Sequence, residues 1–182
     1  MTNTQEMKNL VEQFKTVAIS VDTTVDIIER TPHSLNIALQ KTISKNDSVV
    51  LSEIEHLDVE LFEIFKNESK NIIINPTNKQ LANAKVGITD AFAAVASTGS
   101  VCVTITNSMA GTFSLFTTKH IAIVDSKNIV QRPREVFQLE PFKTITSKQD
   151  FLFISGSSAT ADMGPLVRGV HGPAKLHVII IA

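Results

Sequence analysis

The sequence predicts an α/β protein: a three-layer arrangement in which a mostly parallel, mixed sheet carries helices on both faces. Three observations support this. Short runs such as N-I-I-I-N at 71–75, V-C-V at 101–103 and I-A-I-V at 121–124 are apolar on both faces of a strand, as in a sheet covered on both sides. Stretches with helical spacing separate those runs, the order that builds parallel crossovers. The chain has 182 residues, 43% of them hydrophobic, enough to bury roughly 70% of its unfolded surface without disulfides or structural metals. No Pro-rich, Gly/Ser-rich or charged linker divides it and no repeat recurs, so residues 1–182 read as a single domain, with 1–18 as a possible N-terminal helical arm.

In order along the chain, Met7, Leu10, Val11 and Phe14 stand at helical spacing and predict an amphipathic helix over 3–15, an arm or lid. The β-branched stretch 16–21 predicts a short strand. Pro32 suits a helix start, and Leu35, Ile37, Ala38 and Ile43 carry that helix to about Lys45 and Asn46. Residues 48–51 form a strand. Residues 57–65 form a surface helix, with Asp58 and Glu60 in the first turn, where the helix dipole favours acids. A strand over 71–75 stops at Pro76, and 79–84 adds a helical turn. Residues 91–106, split by Thr98 and Gly99, predict an antiparallel hairpin inserted in the sheet. There follow a small-residue loop at 108–111, a short Phe-rich helix, a strand at 121–124, a helix from Pro133, a strand at 151–154, a Gly-rich segment and a last strand at 176–181.

Composition excludes several functions. With 17 basic and 18 acidic side chains, a net charge of -1, there is no large field for nucleic acid. Cys102 is the single cysteine, so an intramolecular disulfide, a four-thiolate zinc site and a four-cysteine iron–sulfur cluster are impossible. The five histidines offer no H-E-x-x-H spacing, and neither a metal nor a cofactor is expected. No apolar run approaches the ~20 residues that cross a bilayer, and Met1 opens no basic-then-apolar leader, so a cytoplasmic protein is expected.

Ligands in open α/β sheets bind beyond strand carboxyl ends, and three segments there carry small polar residues. Residues 151–162 run from an apolar strand into Ser155, Gly156, Ser157, Ser158, Ala159, Thr160 and Asp162. Backbone N–H groups in such a loop, with a helix start, form an anion site; equally, Thr160 or Asp162 caps a helix and the serines form turns. Residues 168–173 set His171 between Gly169 and Gly172. There the imidazole serves as acid or base, or as a structural donor, and Arg168 grips an anion or pairs with Asp162. Residues 96–100 place Thr98 and Gly99 either at the crevice or in a plain hairpin turn. His120 and His177 read as packing or edge residues, His33 and His56 as residues near helix starts without a partner, and Cys102 as a small buried hydrophobe.

Taken together, G-I-T-D-A-F-A-A-V-A-S-T-G-S at 87–100, K-H-I-A-I-V at 119–124, and I-S-G-S-S-A-T-A-D-M at 154–163 leading through V-R-G-V-H-G-P at 167–173 to Leu176 resemble the LUD family, of the lactate-utilisation type. The resemblance is specific over the last ~35 residues, where a long ordered string matches. It implies a fold similar to ribose-5-phosphate isomerases, glucosamine-6-phosphate deaminases and CoA transferases. It also implies an accessory role in oxidising L-lactate or a related organic acid to pyruvate, beside separate iron–sulfur oxidase proteins. The chain departs from the family at charged positions: Ser97 replaces a glutamate, Ala159 an arginine and Gly164 a glutamate, while Ser157 replaces a proline. Asp162 and His171 are left as the catalytic candidates. The expected ligand is a small anion, held by Ser155, Gly156, Ser158, Thr160, Asp162, Arg168, Gly169 and His171, with Thr98 and Gly99 nearby. The alternatives are an enzyme acting on a sugar phosphate or acyl-CoA ester, by analogy of fold alone, and a ligand-free interaction module. The helical arm offers an oligomer contact or packs on its own domain.

Overall fold

A computed structural model describes residues 3–105, 109–139, 150–162 and 164–182. In chain order its elements are α1 (Asn3–Ser20), β1 (Thr23–Ile28), α2 (Pro32–Thr42), β2 (Val49–Leu51), a 3-10 turn (Val59–Phe62) leading into α3 (Glu63–Glu68), β3 (Ile72–Ile74), α4 (Asn78–Ala82), β4 (Val86–Ala91), β5 (Ala93–Val95) and β6 (Ser100–Thr104). They continue with α5 (Ala110–Phe116), β7 (Lys119–Asp125), a 3-10 turn (Ser126–Asn128), β8 (Ile129–Val130), α6 (Pro133–Val136), β9 (Phe151–Ser155), β10 (Ala159–Thr160), β11 (Val167–Arg168) and β12 (Lys175–Ile181).

The α/β class stands. The main sheet has six strands in the order β1-β12-β7-β4-β2-β3, and every pairing in it is parallel. Strand alternation feeds two cores. Leu176, Val178 and Ile180 of β12 join Val11, Phe14 and Ala18 of α1 on one face. Ile179 and Ile181 join Leu35 and Leu39 of α2, and Phe62 and Phe65, on the other. The predicted hairpin exists as β5 and β6, but it lies in a second, four-stranded sheet in the order β8-β5-β6-β9. The chain changes sheets at Phe92, directly after β4, so the hairpin's antiparallel pairing lies outside the main sheet.

Three expectations change. The strand foreseen at 16–21 is the end of α1, because the buried stripe of Val11, Phe14 and Ala18 continues at helical spacing. Two hydroxyls turn back onto the helix, Thr16 Oγ1 to the Glu12 carbonyl and Ser20 Oγ to the Val17 carbonyl. The first strand follows at Thr23–Ile28, at the sheet's edge. The surface helix at 57–65 is a 3-10 turn and a short helix that bury Leu61, Phe62 and Phe65 over the second core. β4, which had not been foreseen, is buried at all six positions; Gly87, Thr89 and Asp90 had hidden it. In the loop at 108–111, residue 108 lies outside the described residues, and Ala110 and Gly111 open α5.

Gly99 stands at φ +62 with its Cα facing α1. A Cβ there would lie 2.7 Å from Ala18 Cα, so glycine lets the hairpin turn rest on the helix. Among the described residues no helix is long and apolar enough to cross a membrane.

Candidate functional site

The two C-terminal segments singled out above come together as one loop assembly. Ser158 N–H donates to the Pro173 carbonyl at 2.8 Å, Gly169 N–H to the Ser158 carbonyl at 2.9 Å, and His171 N–H to Ser158 Oγ at 3.3 Å. Among the described residues no helix follows Asp162; β10 and β11 pair as a two-stranded antiparallel ribbon instead. Asp162 is exposed, with its N–H on Thr160 Oγ1 at 3.4 Å. Gly156 stands at φ +71 against the Val21 carbonyl, where any side chain would collide. Ser155 Oγ joins a hydroxyl chain with Ser100 and Thr98, at 2.5 and 2.7 Å. Thr98 and Gly99 thus reach the assembly through Ser100.

Arg168 pairs with Asp22, not with Asp162: its Nη1 donates to Asp22 Oδ2, and to Ser157 Oγ at 2.7 Å. Ser157 Oγ in turn donates to the same Asp22 oxygen at 2.7 Å. Asp22 left no trace in the sequence, since its partners lie 135 and 146 positions away. A cleft of about 540 Å³ opens beside the loop, between Leu115, Phe116 and Thr118 at the end of α5 and Arg168, Val170 and His171. The whole assembly sits at the amino edge of the parallel sheet, just before β12. The carboxyl-end rule predicts the opposite edge, and the structure corrects that expectation. β9, which feeds the loop, belongs to the small sheet and points its carboxyl end back toward the starts of β1 and β12.

The true carboxyl edge gathers a different set of side chains. Buried Asp90, at the end of β4, accepts the backbone N–H groups of Glu55 and His56 at 2.8 and 2.5 Å. Burial raises its carboxyl above the usual aspartate range, against the pull of the His56 N–H. Thr104 Oγ1 donates to Glu55 Oε2 at 3.0 Å and lies 2.8 Å from His56 Nε2, and the His56 ring meets Phe92 edge-on at 5.4 Å. His56 therefore has the partner that the sequence did not reveal. At the ends of β1 and β7, Arg30 bridges Asp125 and Asp58. Asp125 is held below its ordinary range: the Lys127 N–H and side chain and the Arg30 guanidinium outweigh the opposing effect of burial.

The remaining candidates are structural. His120 lies fully buried in the central strand, with Nε2 2.9 Å from Thr89 Oγ1, and burial lowers its pKa to about 3. His177 bonds Thr24 Oγ1 through Nδ1 at 2.7 Å; burial lowers its pKa, helped by Lys119 and Lys41 and opposed by Asp26. Burial pushes the Cys102 thiol up to about 12, so it is a packing residue and not a nucleophile. Among the described residues no group of three or more His, Cys, Asp or Glu side chains is arranged to hold a metal ion.

Comparison with known proteins adds three findings. A family model described as the LUD domain matches residues 3–181. Lactate utilization protein C of Bacillus subtilis (strain 168) is 32% identical over 108 residues, which cover 57% of this chain and 45% of that relative, so the chain matches less than half of its length. A crystal structure of a DUF162 family protein from Deinococcus radiodurans superposes with a TM-score of 0.70 at 18% identity, over 97% of this chain and 98% of that one. At that identity the likeness shows the shared fold.

Proposed function

The chain belongs to the LUD domain family, and on that premise we propose that it serves the utilisation of L-lactate or a related organic acid, holding a small organic anion at the loop assembly of Ser158, Arg168 and His171. It acts as an accessory beside separate iron–sulfur oxidase proteins. A chain with one buried cysteine cannot supply a four-thiolate cluster, so electron transfer falls to those partners.

The observation that supports the ligand site is the carboxylate already in place. Asp22 receives the Ser157 hydroxyl and the Arg168 guanidinium, the same donors that a ligand carboxylate would use, at the rim of the cleft. An incoming anion competes with Asp22 for Arg168, while Leu115, Phe116 and Val170 offer apolar contact to a short carbon skeleton. Thr160, Asp162 and Gly169 shape the loop, and His171 lies at the cleft with its backbone fixed on Ser158.

The test is the thermal unfolding of the full chain with L-lactate, pyruvate and, as a control, a neutral polyol. A bound anion raises stability by RT ln(1 + [L]/Kd), about 2.7 kcal/mol at a hundredfold excess over Kd, and Arg168→Gln abolishes the rise. If neither acid shifts the transition, or if Arg168→Gln shifts it equally, the ligand site is wrong. Loss of the gene should slow growth on L-lactate and leave growth on glucose unchanged; equal growth on both would remove the pathway assignment.

A further inference from the structure

We propose that Glu55, His56 and Thr104 form a second binding site, at the carboxyl edge of the parallel sheet, for a small ligand presenting a primary ammonium group. Glu55 and His56, neighbours in the loop after β2, meet Thr104 at the end of β6, beside the end of β4, the place where open α/β sheets present ligands. Their hydrogen bonds fix the proton positions. An ionised carboxylate only accepts, so the Thr104 hydroxyl must donate to Glu55 Oε2. That hydroxyl oxygen is then free to accept, and His56 carries its proton on Nε2 and donates it to Thr104. His56 Nδ1 is left as an acceptor, and Glu55 retains a second carboxylate oxygen.

Access and rigidity fit a ligand site. The side chains of His56 and Glu55 are 14% and 28% exposed, neither sealed in the core nor free in solvent. The imidazole is held on both sides, by Thr104 and by the Phe92 ring. The loop beneath it is pinned through two backbone N–H groups on Asp90. Charge selects the ligand. Buried Asp90 holds the loop that carries Glu55 and His56, and exposed Glu53 and Asp58 stand close to that pair along the chain, with Asp58 answered by Arg30. An anion would meet Glu55 and be repelled, whereas an ammonium group supplies the donors that the Glu55 carboxylate and His56 Nδ1 accept. The site is separate from the amino-edge cleft and does not depend on it.

The test follows the histidine rings of the 15N-histidine-labelled full chain by NMR while ethanolamine hydrochloride is added at constant pH and ionic strength. His56 is assigned with His56→Gln, and sodium L-lactate is titrated in parallel. The expected result is a saturable shift at His56 with ethanolamine, weakened about tenfold or more in Glu55→Gln, an increment of about 1.4 kcal/mol. Sodium L-lactate should leave His56 unmoved. The Glu55 side chain is partly exposed, and Gln keeps its size and an acceptor oxygen for Thr104, so the variant folds and the comparison stands. The proposal is overturned if ethanolamine gives no saturable shift at His56, if Glu55→Gln binds it equally, or if lactate moves His56 to the same extent.

Discussion

At the amino edge of the sheet the Arg168 and Asp22 side chains meet while 44% and 56% exposed; at the carboxyl edge the side chain of Asp125 is only 3% exposed where it meets Arg30. Asp90, also at the carboxyl edge, is similarly buried and spends its carboxylate on two backbone N–H groups. One edge thus carries its charge pair on the surface, where water and salt compete, and the other carries charge inside the protein. A surface pair is worth little to the fold and is easily exchanged for a ligand. A buried carboxylate is costly to strip of its partners and so serves to hold a loop.

The largest effect should come from Asp90→Ala, which leaves the Glu55 and His56 N–H groups without an acceptor. Urea unfolding should show a loss of roughly 2–4 kcal/mol, from two part-buried donors at about 1–2 kcal/mol each. Asp90→Asn, which keeps one acceptor oxygen, should lose less. If Asp90→Ala costs no more than Asp22→Ala, the contrast between the edges collapses.

How much of this could be read from the sequence depends on the range of the contacts. Strands built from apolar runs, such as β7 and β12, were legible because their composition is local. β4 was not, because Gly87, Thr89 and Asp90 are polar or small and owe their burial to neighbours on both sides. Its charged residue inside an otherwise buried stretch was the one signal that pointed to the carboxyl edge. The loop of Ser155 to Pro173 was legible as an unusual string of hydroxyls and glycines. Its location was not, because that depends on β9 joining the small sheet by pairing with β6, some fifty residues away. The Arg168 partner was out of reach for the same reason.

The next effect is pH-dependent and belongs to the layer between the edges. His120 titrates at about 3 in the folded chain against 6.5 when unfolded, so below pH 6.5 the unfolded chain takes up a proton that the folded chain refuses. Stability is therefore fully present above that pH and falls on acidification, by about 2 kcal/mol between pH 7 and pH 5 from this residue alone. His177 is lowered too and adds to the loss. Asp125 is depressed, so its contribution is present above the usual aspartate range and is lost only at more acid pH. His120→Gln should flatten the slope between pH 7 and pH 5. A slope unchanged in that variant would place the pH dependence outside the sheet core.

The smallest effect on stability should come from Asp22→Asn, and it separates the edges most sharply. Asn tolerates the left-handed backbone found at Asp22, where φ is +66, and it keeps the side chain's size. The exposed pair with Arg168 should therefore cost no more than about 1 kcal/mol. The same change removes the resident carboxylate from the guanidinium and from Ser157 Oγ. If Arg168 is held in readiness for an anion, Asp22→Asn should bind L-lactate or pyruvate about fivefold more tightly, the equivalent of about 1 kcal/mol, and isothermal titration would measure it. Added salt should weaken that binding, because the site is open to solvent. Unchanged or weaker binding would make Arg168 a strut between the loop and β1, and both edges would then use their charges only to hold the chain in place.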